Sequence, residues 1–138
     1  MIKYFKSCSL AIALTIMLVG CATEIVNVKD APVRTLSGKE LTIDQTTKAI
    51  VLAGMGLKWE MDVAAPGHII GTLNIRSHQA VVDITYNTQV YSITYKSSKN
   101  LLTVDVNTGE PVGIHPNYNG WIENLNNAIR TQVIAIGT

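Results

Sequence analysis

The chain has 138 residues, which suits one domain and is too short for two ordinary ones. It carries 11 basic and 10 acidic residues, so we expect no general electrostatic attraction to nucleic acid. Charged residues make up 15% of the chain and hydrophobic residues 47%, which is typical of a folded domain and excludes a disordered one.

Residues 1–20 have the pattern of a removable export signal. Lys3 and Lys6 precede an apolar run, Leu10–Val19, which is too short to cross a bilayer as a helix. The run ends at Leu18-Val19-Gly20-Cys21, which resembles the lipobox of bacterial lipoproteins. The resemblance implies cleavage before Cys21 and attachment of fatty acids such as palmitate to it. The alternative is an ordinary secretory signal that contains a cysteine.

The lipobox has consequences for thiol chemistry and for location. Cys8 would leave with the signal and Cys21 would become a thioether, so we expect no disulfide, thiolate metal site or cysteine nucleophile in the mature chain. Two or three acyl chains anchor a protein stably to a membrane. Ala22 stands where lipoproteins retained in the inner membrane commonly have an aspartate. The resemblance therefore implies the outer membrane, with the domain facing the periplasm.

The mature chain divides into a tether and a domain. Residues 21–40 are predicted as the lipidated cysteine and a tether, with one short strand at Val33–Leu36. Residues 41–138 are predicted as a single domain that begins with a helix over Leu41–Gly56, capped by Thr42. The apolar stripe of a last helix over Asn117–Ile136, capped by Asn117, makes Trp121 a buried anchor against the sheet.

Between the two helices the hydrophobic period changes to two, which predicts strands joined by short turns. Pairing the strands through turns at Ser77-His78 and Asn87-Thr88 puts all apolar side chains on one face. In this register Leu73 lies opposite Val82 and Ile84 opposite Tyr91, and a further hairpin places Tyr95 opposite Leu102. The predicted fold is α+β: an antiparallel meander of four to five strands with two helices packed on one face, in the order helix, strands, helix.

Several short segments, taken in order, resemble a group of small uncharacterised proteobacterial lipoproteins. The resemblance covers about residues 41–130 together with the lipobox, and Gly120 departs from the larger, often basic residue expected there. It implies a lipid-anchored α+β domain and brings no established activity. The segments are Trp59, Pro66-Gly67, Asp83-Ile84, Tyr91-Ser92-Ile93, Asn100-Leu101 and Ile114–Asn119.

The sequence contains no paired carboxylates, nucleophile elbow, phosphate loop or HExxH motif. His68 and His78 are ten residues apart on a predicted strand, about 30 Å, and His115 has no nearby ligand in the sequence, so we expect no metal and no cofactor. Asp83 is predicted at the centre of the open sheet face, beside Thr72 and Ser92. We expect no catalytic residue.

These observations favour a lipid-anchored binding or scaffolding module of the cell envelope, without catalytic activity. Its partners would be the membrane, through Cys21, and an envelope protein. Asn100, His115 and Asn119 are the candidate binding surface because no cap or core role requires them.

Two alternatives remain open at this stage. One is a carrier that holds an apolar ligand between helix and sheet, in space left by Gly71, Ala80 and Ala128. The other is an enzyme that uses Asp83 or His115.

Overall fold

The computed structural model describes residues 21–138, and the predicted export signal, residues 1–20, lies outside the described residues. Nine helices and strands are found in this part of the chain. In chain order they are β1 (Val28–Pro32), α1 (Ile43–Gly56), β2 (Glu60–Ala65), β3 (His68–Ile75), β4 (His78–Tyr86), β5 (Val90–Lys99), β6 (Leu102–Val104), β7 (Pro111–Ile114) and α2 (Pro116–Ile136).

Five strands form an antiparallel sheet in the order β1-β5-β4-β3-β2, and β6 and β7 form a separate two-stranded sheet. Both helices contribute to one hydrophobic core with a single face of the five-stranded sheet. The α+β fold predicted from the sequence is confirmed. The opposite face of the five-stranded sheet, which we call the open face, is covered by neither α1 nor α2. The buried core residues include Ile50, Ala53, Ile69, Val82, Ile84, Tyr91, Ile93, Tyr118, Leu125 and Ile129.

Helix α1 begins as the sequence predicts. The Thr42 hydroxyl accepts a hydrogen bond from the Gln45 amide, and the Gln45 side chain accepts one from the Thr42 amide. This reciprocal capping box satisfies two amides that the first helical turn leaves without partners. Asp44 in the same turn adds a favourable charge at the positive end of the helix dipole.

Helix α2 begins one residue earlier than predicted, and the predicted cap is wrong. His115 is the N-cap, because its Nδ1 accepts a hydrogen bond from the Asn117 amide at 3.2 Å. Pro116 takes the first helical position, where its missing amide costs nothing. Trp121 is half-buried rather than fully buried, so it is a weaker anchor than the apolar stripe suggested.

The apolar faces of β3, β4 and β5 are as predicted, but the register differs by two residues. Leu73 lies opposite Ala80, not Val82, and Ile84 lies opposite Ile93, not Tyr91. The β3–β4 turn is centred on Arg76 and Ser77, and Arg76 has φ of 54°. A slip of two keeps every side chain on its own face, so the hydrophobic pattern does not distinguish the two registers.

One edge of the predicted meander, the side of β5, differs from the structure. After β5, Asn100 turns the chain with φ of 54°, and β6 pairs with β7 instead of β5. The place beside β5 is taken by β1, where Ala31 lies opposite Tyr91. The segment predicted as a tether therefore belongs to the folded domain, and its strand is at Val28–Pro32, not at Val33–Leu36.

Candidate functional site

Cys21 lies at the edge of the folded domain, next to the small sheet. Its side chain is exposed. Two residues later, Thr23 forms an antiparallel bridge with Ile114 on β7, with amide-to-carbonyl distances of 3.0 Å and 2.9 Å. Gly113 allows this approach, because a Cβ there would lie 2.8 Å from the Ala22 Cβ and 2.9 Å from the Thr23 carbonyl oxygen. Cys21 is thus separated from a fixed backbone position by a single residue.

Asn119, one of the three predicted binding residues, holds the segment that follows Thr23. Its Nδ2 donates to the Glu24 carbonyl at 2.8 Å, and its Oδ1 accepts from the Val26 amide at 3.1 Å. A side-chain amide that pairs with both groups of an extended backbone replaces a neighbouring strand. Asn119 therefore has a structural role that the sequence did not reveal.

Asn100 and His115, the other two, lie at the same end of the domain. Asn100 Nδ2 donates to the Ser77 carbonyl at 2.7 Å, and the Asn100 carbonyl accepts from His78 Nδ1 at 2.7 Å. The rings of His78 and His115 have centroids 6.0 Å apart. His115 is the cap of α2, so each of the three residues has a structural task. The premise that no such task exists is wrong, although their role in binding stays a prediction.

Cys21, Asn100 and His115 line one surface cleft of about 430 Å³. Asn119 contacts the segment beside it through Glu24 and Val26. The structure thus places the predicted binding surface at the end of the domain where the lipid would be attached. We call this the anchor end. Asn100 has a positive φ, which asparagine tolerates well. No signal in the sequence indicated that Asn100, His115 and Asn119 lie near Cys21.

Asp83 lies on the open face with a hydrogen-bonded histidine on one side and a lysine on the other. His68 Nε2 donates to Asp83 Oδ1 at 2.6 Å, and Lys96 Nζ lies 3.2 Å from Oδ2. The hydrogen bond from His68 and the contact with Lys96 lower the pKa of the Asp83 carboxyl, against a smaller opposing effect of burial. Its cross-strand partners are Ile70 and Thr94, so the predicted neighbours Thr72 and Ser92 were wrong by two positions, as the register shift requires.

The chemistry of Asp83 follows from this environment. The side chains of His68, Asp83 and Lys96 are 36%, 25% and 46% exposed, so all three groups are in contact with solvent. A carboxylate with a lowered pKa is a weak proton acceptor, and it would need a raised pKa to act as a general base near neutral pH. Residues 21–138 contain no cluster of three or more histidine, cysteine or acidic side chains that would hold a metal ion.

The fold leaves little space for the apolar ligand that the carrier alternative requires. An apolar cleft between the helices and the sheet holds about 80 Å³ and is bordered by Trp59 and Trp121. Pockets for small ligands typically measure about 300–1,000 Å³. Gly71 leaves no vacant volume either, because a Cβ there would lie 3.2 Å from Val82 Cγ2. Ala80 is fully buried and Ala128 packs against the core, so the described interior is filled.

Comparisons with protein-family models, with curated proteins and with solved structures give no match to this chain. None of the helices within residues 21–138 has the length and apolar character needed to cross a membrane.

Proposed function

We propose that the chain is a lipid-anchored binding or scaffolding module of the cell envelope, without catalytic activity. Its anchor is an acylated Cys21, its location is the outer membrane, and its domain faces the periplasm. The lipobox-like Leu18-Val19-Gly20-Cys21 supports the anchor. The observation that carries the proposal is the exposed Cys21 side chain at the edge of the domain, where attached acyl chains would project without disturbing the core.

The proposed partner surface is the open face, with an envelope protein as the partner. Strand β5 runs from Val90 to Lys99, and Lys99 is followed by the anchor end, so the face extends away from the lipid. Its centre is made of half-buried small or apolar side chains around the Asp83 carboxylate. A surface that is polar at its rim and partly apolar at its centre is typical of protein interfaces. The residues are Ile70, Thr72, Val81, Asp83, Ser92 and Thr94.

Acylation is tested by replacing each cysteine separately in the full chain. We expect Cys21→Ser to abolish fatty-acid labelling, because it removes the acceptor thiol. The matched control Cys8→Ser should be labelled normally, since Cys8 lies in the predicted signal. Labelling that survives in the Cys21→Ser variant would contradict the lipobox interpretation.

The partner surface is tested by photocrosslinking in the native envelope. A photoreactive residue at Thr72 on the open face should yield a crosslinked protein. The same residue at Glu123, exposed on helix α2, is the matched control and should not. A third position, His115, tests the anchor end. Crosslinks from His115 and none from Thr72 would move the partner surface to the candidate residues Asn100, His115 and Asn119.

A further inference from the structure

The hairpin formed by β6 and β7 exposes an unusual number of aliphatic side chains. Val106, in the turn between the two strands, is 95% exposed, and Leu102, Val104 and Val112 are exposed as well. Single exposed aliphatic residues are ordinary, but four on one hairpin form a patch that calls for a partner surface. No Lys or Arg occurs from residue 100 through 115, so this patch lacks the basic residues that would attract anionic surfaces.

The hairpin is joined directly to the predicted lipid attachment site. Thr23 is bonded to Ile114 of β7, and Cys21 precedes Thr23 by two residues, a span of at most about 7 Å. Cys21 also lines the same cleft as Leu102 and Thr103 of β6. An acylated Cys21 would thus hold the hairpin within one or two residue lengths of the bilayer surface, with no tether between them.

We propose that the β6–β7 hairpin is a membrane-contacting element that inserts Val106 and its aliphatic neighbours into the interface of the lipid bilayer. This proposal rests on the acylation of Cys21. The hairpin would then fix the orientation of the domain, because a lipid anchor alone permits rotation about a single point. With two contacts, the anchor end faces the bilayer and the far end of β5, at Val90, faces away from it.

The charges of the hairpin indicate which bilayer suits it. Asp105 and Glu110 flank the turn; Glu110 is exposed and Asp105 is half-buried. The amides of Asn107 and Thr108 donate to Asp105 Oδ1 at 2.8 Å and 3.1 Å, and these hydrogen bonds lower the pKa of its carboxyl. The turn therefore stays anionic at neutral pH. A zwitterionic surface would accept it more readily than an anionic one.

The test uses the acylated full-chain protein in phosphatidylcholine vesicles. In that protein Cys8 has left with the signal and Cys21 is a thioether, so a cysteine introduced by Val106→Cys is the one free thiol and takes a nitroxide spin label. The matched control is Gln89→Cys, exposed in the β4–β5 turn at the far end of the domain. Accessibility of the label to oxygen, which dissolves in lipid, is compared with accessibility to a water-soluble nickel chelate.

We expect the label at residue 106 to favour oxygen several-fold over the label at residue 89, and to lose part of this preference in vesicles rich in phosphatidylglycerol. A label at Val112 should behave like the one at Val106. Equal, water-like accessibility at residues 106 and 89 would overturn the proposal, as would spin–spin broadening at residue 106, which would mean that a second copy covers the hairpin. The mass of the purified protein shows whether Cys21 is acylated, and so distinguishes these outcomes from a failure of acylation. Without acylation of Cys21 the premise of the proposal would be wrong, and the proposal would fail with it.

Discussion

Two buried tyrosines of the core differ in what their hydroxyl groups contact. Tyr91 donates a hydrogen bond to Asn126 Oδ1 at 2.5 Å, and burial raises its pKa to about 12. Tyr118 packs edge-on against Tyr95, and its hydroxyl finds no hydrogen-bond partner among residues 21–138. Burial also raises the pKa of Tyr118. A buried polar group without a partner destabilises the folded state, whereas a paired one is roughly neutral or favourable.

Removal of the two hydroxyl groups should therefore have different effects. We expect Tyr91→Phe to lower the free energy of unfolding by about 0.5–1.5 kcal/mol, since it leaves Asn126 without its partner. Tyr118→Phe should leave the free energy unchanged or raise it. Urea unfolding of both variants measures the difference. Equal losses in the two variants would mean that the Tyr118 hydroxyl has a partner in solution.

The ion pairs of Asp83 predict a pH dependence of stability. Because the pKa of Asp83 in the folded state lies below its ordinary value of 3.8, the charged carboxylate stabilises the fold above that value. The stabilisation is lost as the pH falls through the lowered pKa. Since all three side chains are partly exposed, we expect less than about 1 kcal/mol.

Asp83→Asn should therefore be less stable than the unaltered protein at pH 7, and the difference should disappear near pH 2. Asp62→Asn is the matched control, because Asp62 lies on β2 of the same sheet, two strands from Asp83, and takes part in neither of the ion pairs found in the described part of the chain. Urea unfolding at both pH values measures the difference. A difference for Asp83→Asn that persists at pH 2 would show that its effect is not electrostatic.

At the scale of elements, the sequence predicts what local pattern determines and misses what long-range contacts determine. Thr42 with Gln45 is a local capping box, and α1 begins there as expected. Strand β1 was missed because Val28–Pro32 contains two charged residues and a proline, features that read as a loop but are also typical of an edge strand. Its pairing with β5 joins residues more than 50 positions apart, which no local pattern indicates.

The candidate site was predicted less well than the fold, for a related reason. His115 and Asn119 were chosen because they lacked a visible structural role. One is the cap of α2, and the other binds the backbone of a segment 93 and 95 residues away in sequence. Cys21 was identified from its local sequence, but its position beside the β6–β7 hairpin depends on the bridge between Thr23 and Ile114, which the sequence does not indicate.

The contact between the N-terminal segment and β7 can be tested by replacing Gly113, the glycine that allows the close approach. Gly113→Ala should break the Thr23–Ile114 bridge, because the new Cβ would lie within 3 Å of the Thr23 backbone. Gly120→Ala is the matched control: a Cβ there meets no atom within 4 Å beyond the adjoining helix backbone and its chain neighbours, and alanine should stabilise helix α2 by about 0.5–1 kcal/mol. Amide hydrogen exchange at Thr23 and Ile114 should accelerate in the first variant and not in the second. Unchanged protection in Gly113→Ala would contradict the close approach.

At the scale of the whole molecule, the N-terminal segment completes the sheet and also fixes the position of Cys21. Strand β1 covers the edge of β5, and Ile25, Val28, Ala31 and Val33 pack against the core. The Val33 amide donates to the Gln89 carbonyl at 2.8 Å beyond the end of the strand. A segment that served only as a tether could be removed without effect on the fold. Removal of the N-terminal segment therefore distinguishes a tether from a part of the folded domain.

A chain that begins at Glu40 should therefore be much less stable than one that begins at Ala22. The loss of four half-buried aliphatic side chains predicts a decrease of about 3 kcal/mol in the free energy of unfolding. The exposed edge of β5 would also offer unpaired backbone groups to a second molecule, so the shorter chain should self-associate. Thermal unfolding and size-exclusion chromatography of the two chains check both effects. Equal melting temperatures and a monomeric shorter chain would support the tether interpretation, in which the domain is free to move away from the bilayer.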